Sequence, residues 1–359
     1  MIALISVNIC CIIKLYEYKS GEARIMPKKQ VTIADIAKAC GTSTVTVSKA
    51  LCGRSGVSEE VRAKIRETAD KMGYVSTKSV SNKFDGVIGV LIPNKFINPN
   101  GSFYWALYND ILKLLKSSGI SCIQENIGAE EESALAVPNL FSNNRIMGII
   151  SLGQLSVPYL HMLMNHANNL VLLDYYTPNM ELDCVVTNGY FGGYKLTDHL
   201  ISLGHRDIGF IGTRTATSSI FDRFMGYLKA MLENDLPINP DWLIPDRPSS
   251  GERYERLEFP EKLPTAFVCN CDETAFVAIR DLKARGISVP QDISVVGYDN
   301  YLISEISDPS ITTIQVNSEE MAREALNALF ERVENPSLPK KTRILTGKIV
   351  VKESTRSIK

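Results

Sequence analysis

The side chains best able to make or break bonds are sparse and scattered. Four histidines stand at 161, 166, 199 and 205. Eight cysteines stand at 10, 11, 40, 52, 122, 184, 269 and 271, with neither a C-x-x-C pair nor a zinc-like Cys/His spacing. Cys269 and Cys271 flank Asn270 in an apolar run, where alternate strand residues point the same way. They read as buried free thiols and fit a cytoplasmic compartment. No G-x-S-x-G, P-loop or H-E-x-x-H occurs. The expectation is therefore no enzyme, no metal and no cofactor. The dense chemistry lies instead in GTSTVTVSKAL, residues 41–51, where hydroxyls and one ammonium crowd together. Such groups can donate and accept hydrogen bonds. The stretch is also rich in β-branched residues, which favour strands over helices.

Its flanks nevertheless read as helix. Thr32 is an N-cap with Asp35 three positions on, an acidic version of the capping box. Ile33, Ile36 and Ala37 form one apolar stripe, and Gly41 supplies the turn. Ser43 then caps a second helix with Val47, Ala50 and Leu51 facing inward. A third follows Ser58, with Val61, Ile65, Ala69 and Met72 inside and Gly73 at its end. The charge is uneven. Residues 26–78 carry 10 Lys and Arg against 5 Asp and Glu, while residues 79–359 carry 26 against 33. A small basic module joined to an acidic body points to a polyanion partner for the module alone.

Two short helices around a Gly turn, followed by a third, match the helix-turn-helix plan, whose second helix enters the major groove. VTIADIAKACGTSTVTVSKAL and VSEEVRAKIRETADKMGY together resemble the DNA-binding head of the lactose/galactose-repressor (LacI/GalR) family. The shared features are the T-I-x-D-I-A opening, G-x-S at the turn, T-V-S in the second helix, V-S-x-x-V-R and the closing G-Y. The resemblance places Thr44, Val45 and Lys49 against base edges. It places Ser43, Thr46, Ser48, Tyr74 and, at the helix start, Thr32 in the remaining DNA-binding set. Thr can donate, accept or touch a thymine methyl, Val makes apolar contact, and Lys reaches guanine. Cys52 stands where the family usually has an Asn touching the backbone. In the hinge, Ser76, Thr77, Val80, Ser81 and Lys83 replace Pro, Asn, Ala, Arg and Leu of the family pattern.

From residue 86 onward, short apolar runs alternate with amphipathic stretches, from GVIGVLIP to DISVVGYDN. That alternation means parallel sheets with helices on both faces, and the strands are too many for one sheet. Two doubly wound halves with a cleft at the carboxyl ends of their strands are expected. HLISLGHRDIGFIG, DRFMGYLKAM, NCDETAFVAIRDLKARGISVPQDISVVGYDN and DPSITTIQV also resemble the family, whose body looks like a periplasmic sugar-binding protein. The resemblance covers residues 31 to about 356. It implies an effector site of Phe103, Tyr104, Asp174, Tyr175, Arg223 and Asp272. It also implies chain crossings near Asn188, Ile311 and Pro336. An arginine fork, carboxylates and aromatic faces suit a small polar ring.

The expected fold is a small all-α helix-turn-helix head on an α/β, periplasmic-binding-protein-like body of two doubly wound parallel-sheet subdomains. The head is residues 26–74 and the hinge 75–85. One subdomain takes residues 86–187 and 311–335, the other 188–310 and 336–356. The expected function is ligand-modulated repression of transcription. The partners would be a palindromic double-stranded operator, a small effector (a sugar or sugar derivative) and a second copy of the chain. No leucine heptad follows Lys352, so a dimer is expected rather than a tetramer. Residues 1–25 are too short an apolar run to span a membrane, since Lys14 interrupts it, and they lack signal-peptide features. They read as a mis-called extension before a start at Met26, with no stable membrane association. The competing reading takes them as an anchor and the body as an exported solute receptor.

Overall fold

The computed structural model describes residues 32–51, 56–72, 86–97, 103–142, 145–248 and 253–359. The expectations for residues 1–25, Cys52, Tyr74 and the hinge lie outside them. The chain divides into two units, a head up to Ser79 and a body from Val80.

Among the described residues, the head has three helices: α1 (Ile33–Cys40), α2 (Thr44–Leu51) and α3 (Glu59–Met72). Thr32 and Asp35 close a reciprocal capping box, with Thr32 N donating to Asp35 Oδ2 at 2.8 Å. Gly41 ends α1 at φ +65°, the left-handed geometry that glycine adopts without strain. Ser43 Oγ accepts the Thr46 amide at 3.1 Å and starts α2. Ile36, Ala37, Val47, Ala50, Ile65 and Ala69 form the core. One expectation for α3 is corrected. Val61 faces solvent and its neighbour Arg62 is buried. The Arg62 guanidinium donates to the carbonyl of Ala50 at 3.1 Å, supplying a donor that the end of α2 lacks.

The body opens with β1 (Val87–Pro93), α4 (Phe103–Ser118), β2 (Ser121–Ile127), α5 (Ala129–Ser133), β3 (Ile146–Leu152), α6 (Val157–His166), β4 (Leu170–Leu173) and β5 (Asp183–Thr187). The chain then forms α7 (Gly189–Ser202), β6 (Ile208–Ile211), α8 (Ser218–Glu233), β7 (Leu243–Ile244), β8 (Ala266–Cys269), α9 (Asp272–Ala284), β9 (Ser294–Val296) and α10 (Leu302–Ile306). It ends with β10 (Thr313–Gln315), α11 (Ser318–Glu334), β11 (Thr342–Leu345) and β12 (Lys348–Val350).

The first sheet is parallel, in the order β11-β5-β4-β3-β1-β2. Helices α4 and α11 cover one face through Leu107, Ile111, Ala325 and Leu329. Helix α6 covers the other through Tyr159, Leu160 and Leu163. The second sheet, β7-β6-β8-β9, is also parallel, with α7 and α8 on one face and α9 on the other. The inner strands of both sheets are buried on both sides, which is why they read as continuous apolar runs.

Two crossings fall later than the sequence indicated. Ile311 packs in the core of the second half, and Thr312 bridges Val296 there, so the return follows Val316. β11 then pairs with β5 in the first sheet, so the last crossing lies beyond Leu345 rather than near Pro336. The physical reason is the open flank of β5, whose backbone groups β11 satisfies.

Candidate functional site

In the head, burial of Val47 and Ala50 turns the opposite face of α2 outward. Val45 is 62% exposed, and Ser43, Thr44 and Lys49 are exposed beside it. Thr46 and Ser48 are half-buried. Ser43 Oγ lies 2.9 Å from Thr46 Oγ1, so these two hydroxyls are held in one orientation. Thr32 is exposed at the start of α1, its hydroxyl donating to Asp35 at 2.6 Å. The exposed row holds one methyl-bearing, two hydroxyl and one ammonium side chain, and a major-groove reader uses those types.

In the body, a cleft between the two sheets is lined by Phe96, Phe103, Tyr104, Asp174, Arg223 and Asp299, among others. Tyr104 comes from the first turn of α4, and its hydroxyl donates to Asp174 Oδ2 at 2.9 Å. Asp174 follows β4 at φ +69°, which aims its carboxyl into the cleft, and its Oδ1 has no partner among the described residues. Burial raises the Asp174 pKa, against the pull of Arg223 and of the Tyr104 hydrogen bond. Arg223, on α8, donates to the Asn270 carbonyl at 2.5 Å and lies 3.4 Å from Asp299 Oδ1. Its guanidinium stacks 3.8 Å from the centroid of Tyr298. Burial is the largest influence and opposes its charge, but Asp299, Tyr298, Asp174 and Cys271 together outweigh burial and raise its pKa. Arg223 Nε is buried without a partner among the described residues. Burial pushes Asp299 well above the carboxylate range, and Arg223 pulls the other way.

Two residues assigned to the effector site stand elsewhere. Tyr175 is turned into the core beneath the first sheet, its hydroxyl 2.6 Å from Ser151 Oγ. Alternation explains this, since consecutive residues leaving a strand point to opposite sides. Asp272 is fully buried at the first turn of α9 and accepts from Thr313 Oγ1 at 2.6 Å. Asp299, rather than Asp272, joins Asp174 in lining the cleft. The sequence signal for it was YDN directly after a buried strand, with Asp299 and Asn300 both at positive φ.

Sequence reasoning also passed over Arg247 and Arg253, which sit in an irregular segment and line the cleft. Arg247 makes a two-point pair with Asp246, at 3.2 and 2.6 Å. Asp246 also accepts from Asn270 Nδ2 and from Thr274 Oγ1. Burial would raise the Asp246 pKa, yet Arg247 and these donors hold it below the usual range. Arg253 pairs with Glu273.

Three hydrogen bonds tie the halves together at the cleft mouth. The Ser218 amide donates to Gln154 Oε1 at 2.8 Å, the Tyr176 amide to Ser218 Oγ at 3.2 Å, and the Tyr176 hydroxyl to Asp222 Oδ1 at 2.9 Å. The cleft so closed has about 40 Å³ of free space, room for a water or two. A ring-sized ligand therefore enters only when the halves part. Among the described residues no helix is long and apolar enough to cross a membrane.

The family model for bacterial regulatory proteins of the lacI family matches residues 32–77. That for a periplasmic binding protein-like domain matches residues 197–355. The HTH-type transcriptional repressor PurR of Actinobacillus pleuropneumoniae serotype 3 (strain JL03) is 30% identical over 309 residues, 84% of this chain and 91% of the relative. A lac repressor dimer bound to operator and the anti-inducer ONPF aligns with TM-score 0.60 at 21% identity, over 91% of this chain and all of that one. An Enterococcus faecium LacI family regulator with bound ribose aligns with TM-score 0.63 at 24% identity, over 76% of this chain and all of that one.

Proposed function

The chain belongs to the lacI family of bacterial regulatory proteins, and on that premise we propose that it is a dimeric repressor whose two heads read a palindromic operator. A short helix reads only a few base pairs, so two heads must meet two half-sites related by a two-fold axis. The outward row Ser43, Thr44, Val45 and Lys49 carries this reading. Thr44, Val45 and Lys49 meet base edges. Ser43, Thr46, Ser48 and Tyr74 hold phosphates and fix register, and Thr32 completes the DNA-binding set. A gel shift on palindromic DNA, titrated with salt, tests it. Binding that weakens steeply with salt is expected, and no binding at low salt overturns it.

The effector is a small polar ring, a sugar or sugar derivative. The observation that favours it is the pair of unmatched polar atoms in the cleft, Asp174 Oδ1 and Arg223 Nε, beside the Phe96 and Tyr104 rings. One is an acceptor and the other a donor, so a hydroxyl-bearing ring satisfies both. Ligand held between the halves favours the closed form. It shifts operator affinity only by its differential affinity for the two forms. Titration calorimetry with ribose and cellobiose, set against free nucleobases, tests the ligand class. Binding by a base and by neither sugar replaces the sugar reading with a purine or pyrimidine one.

A further inference from the structure

Helix α8 is apolar on two faces, although one is enough to hold it to the body. Ile220, Phe224, Tyr227 and Met231 face inward, buried in the core of the second half. Phe221, Met225, Leu228 and Leu232 repeat the same spacing one residue later. Phe221, Met225 and Leu232 are 47%, 38% and 64% exposed, and Leu228 is half-buried. A helix lying on a domain surface normally turns polar residues to solvent. Alternating steps of four and three residues make instead the a/d seam along which one helix packs on another. No leucine heptad follows Lys352, yet a seam of that spacing stands here, on the outer face of the second half. Tyr190 and Phe191 of α7 are exposed as well and widen the patch. The two helices meet backbone to backbone, since a Cβ on Gly226 would lie 2.0 Å from the Tyr190 carbonyl oxygen. Isolated exposed apolar residues are ordinary, but a continuous row of them marks a contact surface.

We propose that the outward seam of α8 packs on the same seam of a second copy, antiparallel about a two-fold axis, and so joins two dimers into a tetramer. This rests on the reading of the protein as a dimer, formed through another face, and goes beyond it. An antiparallel pair sets Phe221 against the partner's Leu232 and Met225 against the partner's Leu228, so every layer holds two apolar side chains. Asp222 and Lys229 each stand one position after a seam residue, on the flank that sets partner and orientation. The same antiparallel register brings Asp222 beside the partner's Lys229, and Lys229 beside the partner's Asp222. The flank is thus complementary to itself, as a two-fold contact requires. A nucleic acid or an anionic lipid surface would call for cations alone. Both groups are available for such a pair. Lys229 holds Glu233 in an exposed ion pair, which is worth little and can be exchanged. Asp222 accepts from Tyr176 through Oδ1, and its other oxygen can take a second donor.

The test is sedimentation velocity on the full chain across a concentration series, for the wild type, for Met225→Asp with Leu232→Asp, and for Met164→Asp. Met164 is exposed on α6, in the other half, and serves as the control. Circular dichroism checks that each variant is folded. The expected result is a wild type and a control that pass from dimer to tetramer as concentration rises. In the double variant the dissociation constant of the tetramer should rise at least about 100-fold, as for loss of a central apolar anchor. A wild type that reaches the dimer and goes no further, with the double variant equally dimeric, overturns the seam contact and leaves the dimer reading intact. A double variant as tetrameric as the wild type overturns the seam contact too. A wild-type dimer that the double variant reduces to monomer keeps the α8 contact and overturns the tetramer. A wild type that stays monomeric throughout overturns the dimer reading and the seam together.

Discussion

Arg223 on α8 and Asp299 in the turn after β9 meet at 3.4 Å, each about nine-tenths buried. Neither has bulk water to fall back on. Arg223→Met leaves Asp299 without its counter-charge and frees the Asn270 carbonyl. Removing one partner of a buried pair costs about 3–5 kcal/mol. Asp299→Asn should cost less, because burial already drives that carboxyl toward its neutral form. Urea unfolding followed by tryptophan fluorescence checks both. Equal, surface-like losses for the two variants contradict the account of the pair.

Asp272 gives a pH signature. Burial pushes its carboxyl up to about 7, against the Thr313 hydrogen bond and the Lys352 charge. The unfolded value is about 3.9. A raised acid holds its proton in the folded chain after the unfolded chain has released it. Its contribution is therefore full below about pH 4 and falls as pH rises to about 7. Asp272→Asn removes that slope while keeping an oxygen for Thr313. The variant should gain on the wild type through this window and be more stable by about 1 kcal/mol or more at pH 8. A stability difference that does not change between pH 4 and 8 rules this out.

Val45 and Val47 lie two positions apart on α2 and should answer differently. Val45 is exposed, so Val45→Ala leaves stability within about 0.5 kcal/mol. It should relax discrimination at one base pair by about 1 kcal/mol at most. Val47 is fully buried in a small core, so Val47→Ala costs about 2 kcal/mol and weakens every sequence alike. Lys49→Ala should cost about 1–3 kcal/mol at its own base pair. Gel shifts over an operator set substituted one base pair at a time separate these patterns.

The hydroxyl of Tyr176 bridges to Asp222 across the cleft mouth. Tyr176→Phe deletes that bond and nothing else. One such bond is worth about 0.5–1.5 kcal/mol net, so the ratio of closed to open body should fall about 2- to 10-fold. Small-angle scattering should show a larger radius of gyration for the variant. An unchanged profile means that the bond does not hold the halves.

Much of this architecture is legible in local chemistry. Thr32, Asp35, Gly41 and Ser43 specify helix ends through hydrogen bonds within four residues, and the buried strands announce themselves as apolar runs. What was misjudged depends on contacts distant in sequence. The partner of Asp272 is Thr313, forty-one positions on, and that contact draws its carboxyl inward. Arg247 and Arg253 gain their places through the fold, because Asn270 and Thr274 fix Asp246 beside Arg247 and Glu273 is brought to Arg253. Val61 and Arg62 exchanged places because the guanidinium serves carbonyls of another helix, which outweighs the apolar stripe. The late crossing at β11 follows from an unpaired strand edge that no periodicity announces.

That crossing has a bearing on synthesis. β11 forms one edge of the first sheet, and the ladder beside β10 is closed by β12, both made after Lys341. As the chain leaves the ribosome, the three helices of the head emerge whole within its first seventy-two residues. Neither half of the body can complete its hydrogen bonding until β11 and β12 have been translated. Until then the nascent chain carries two open sheet edges, the interval when chaperone cover matters most.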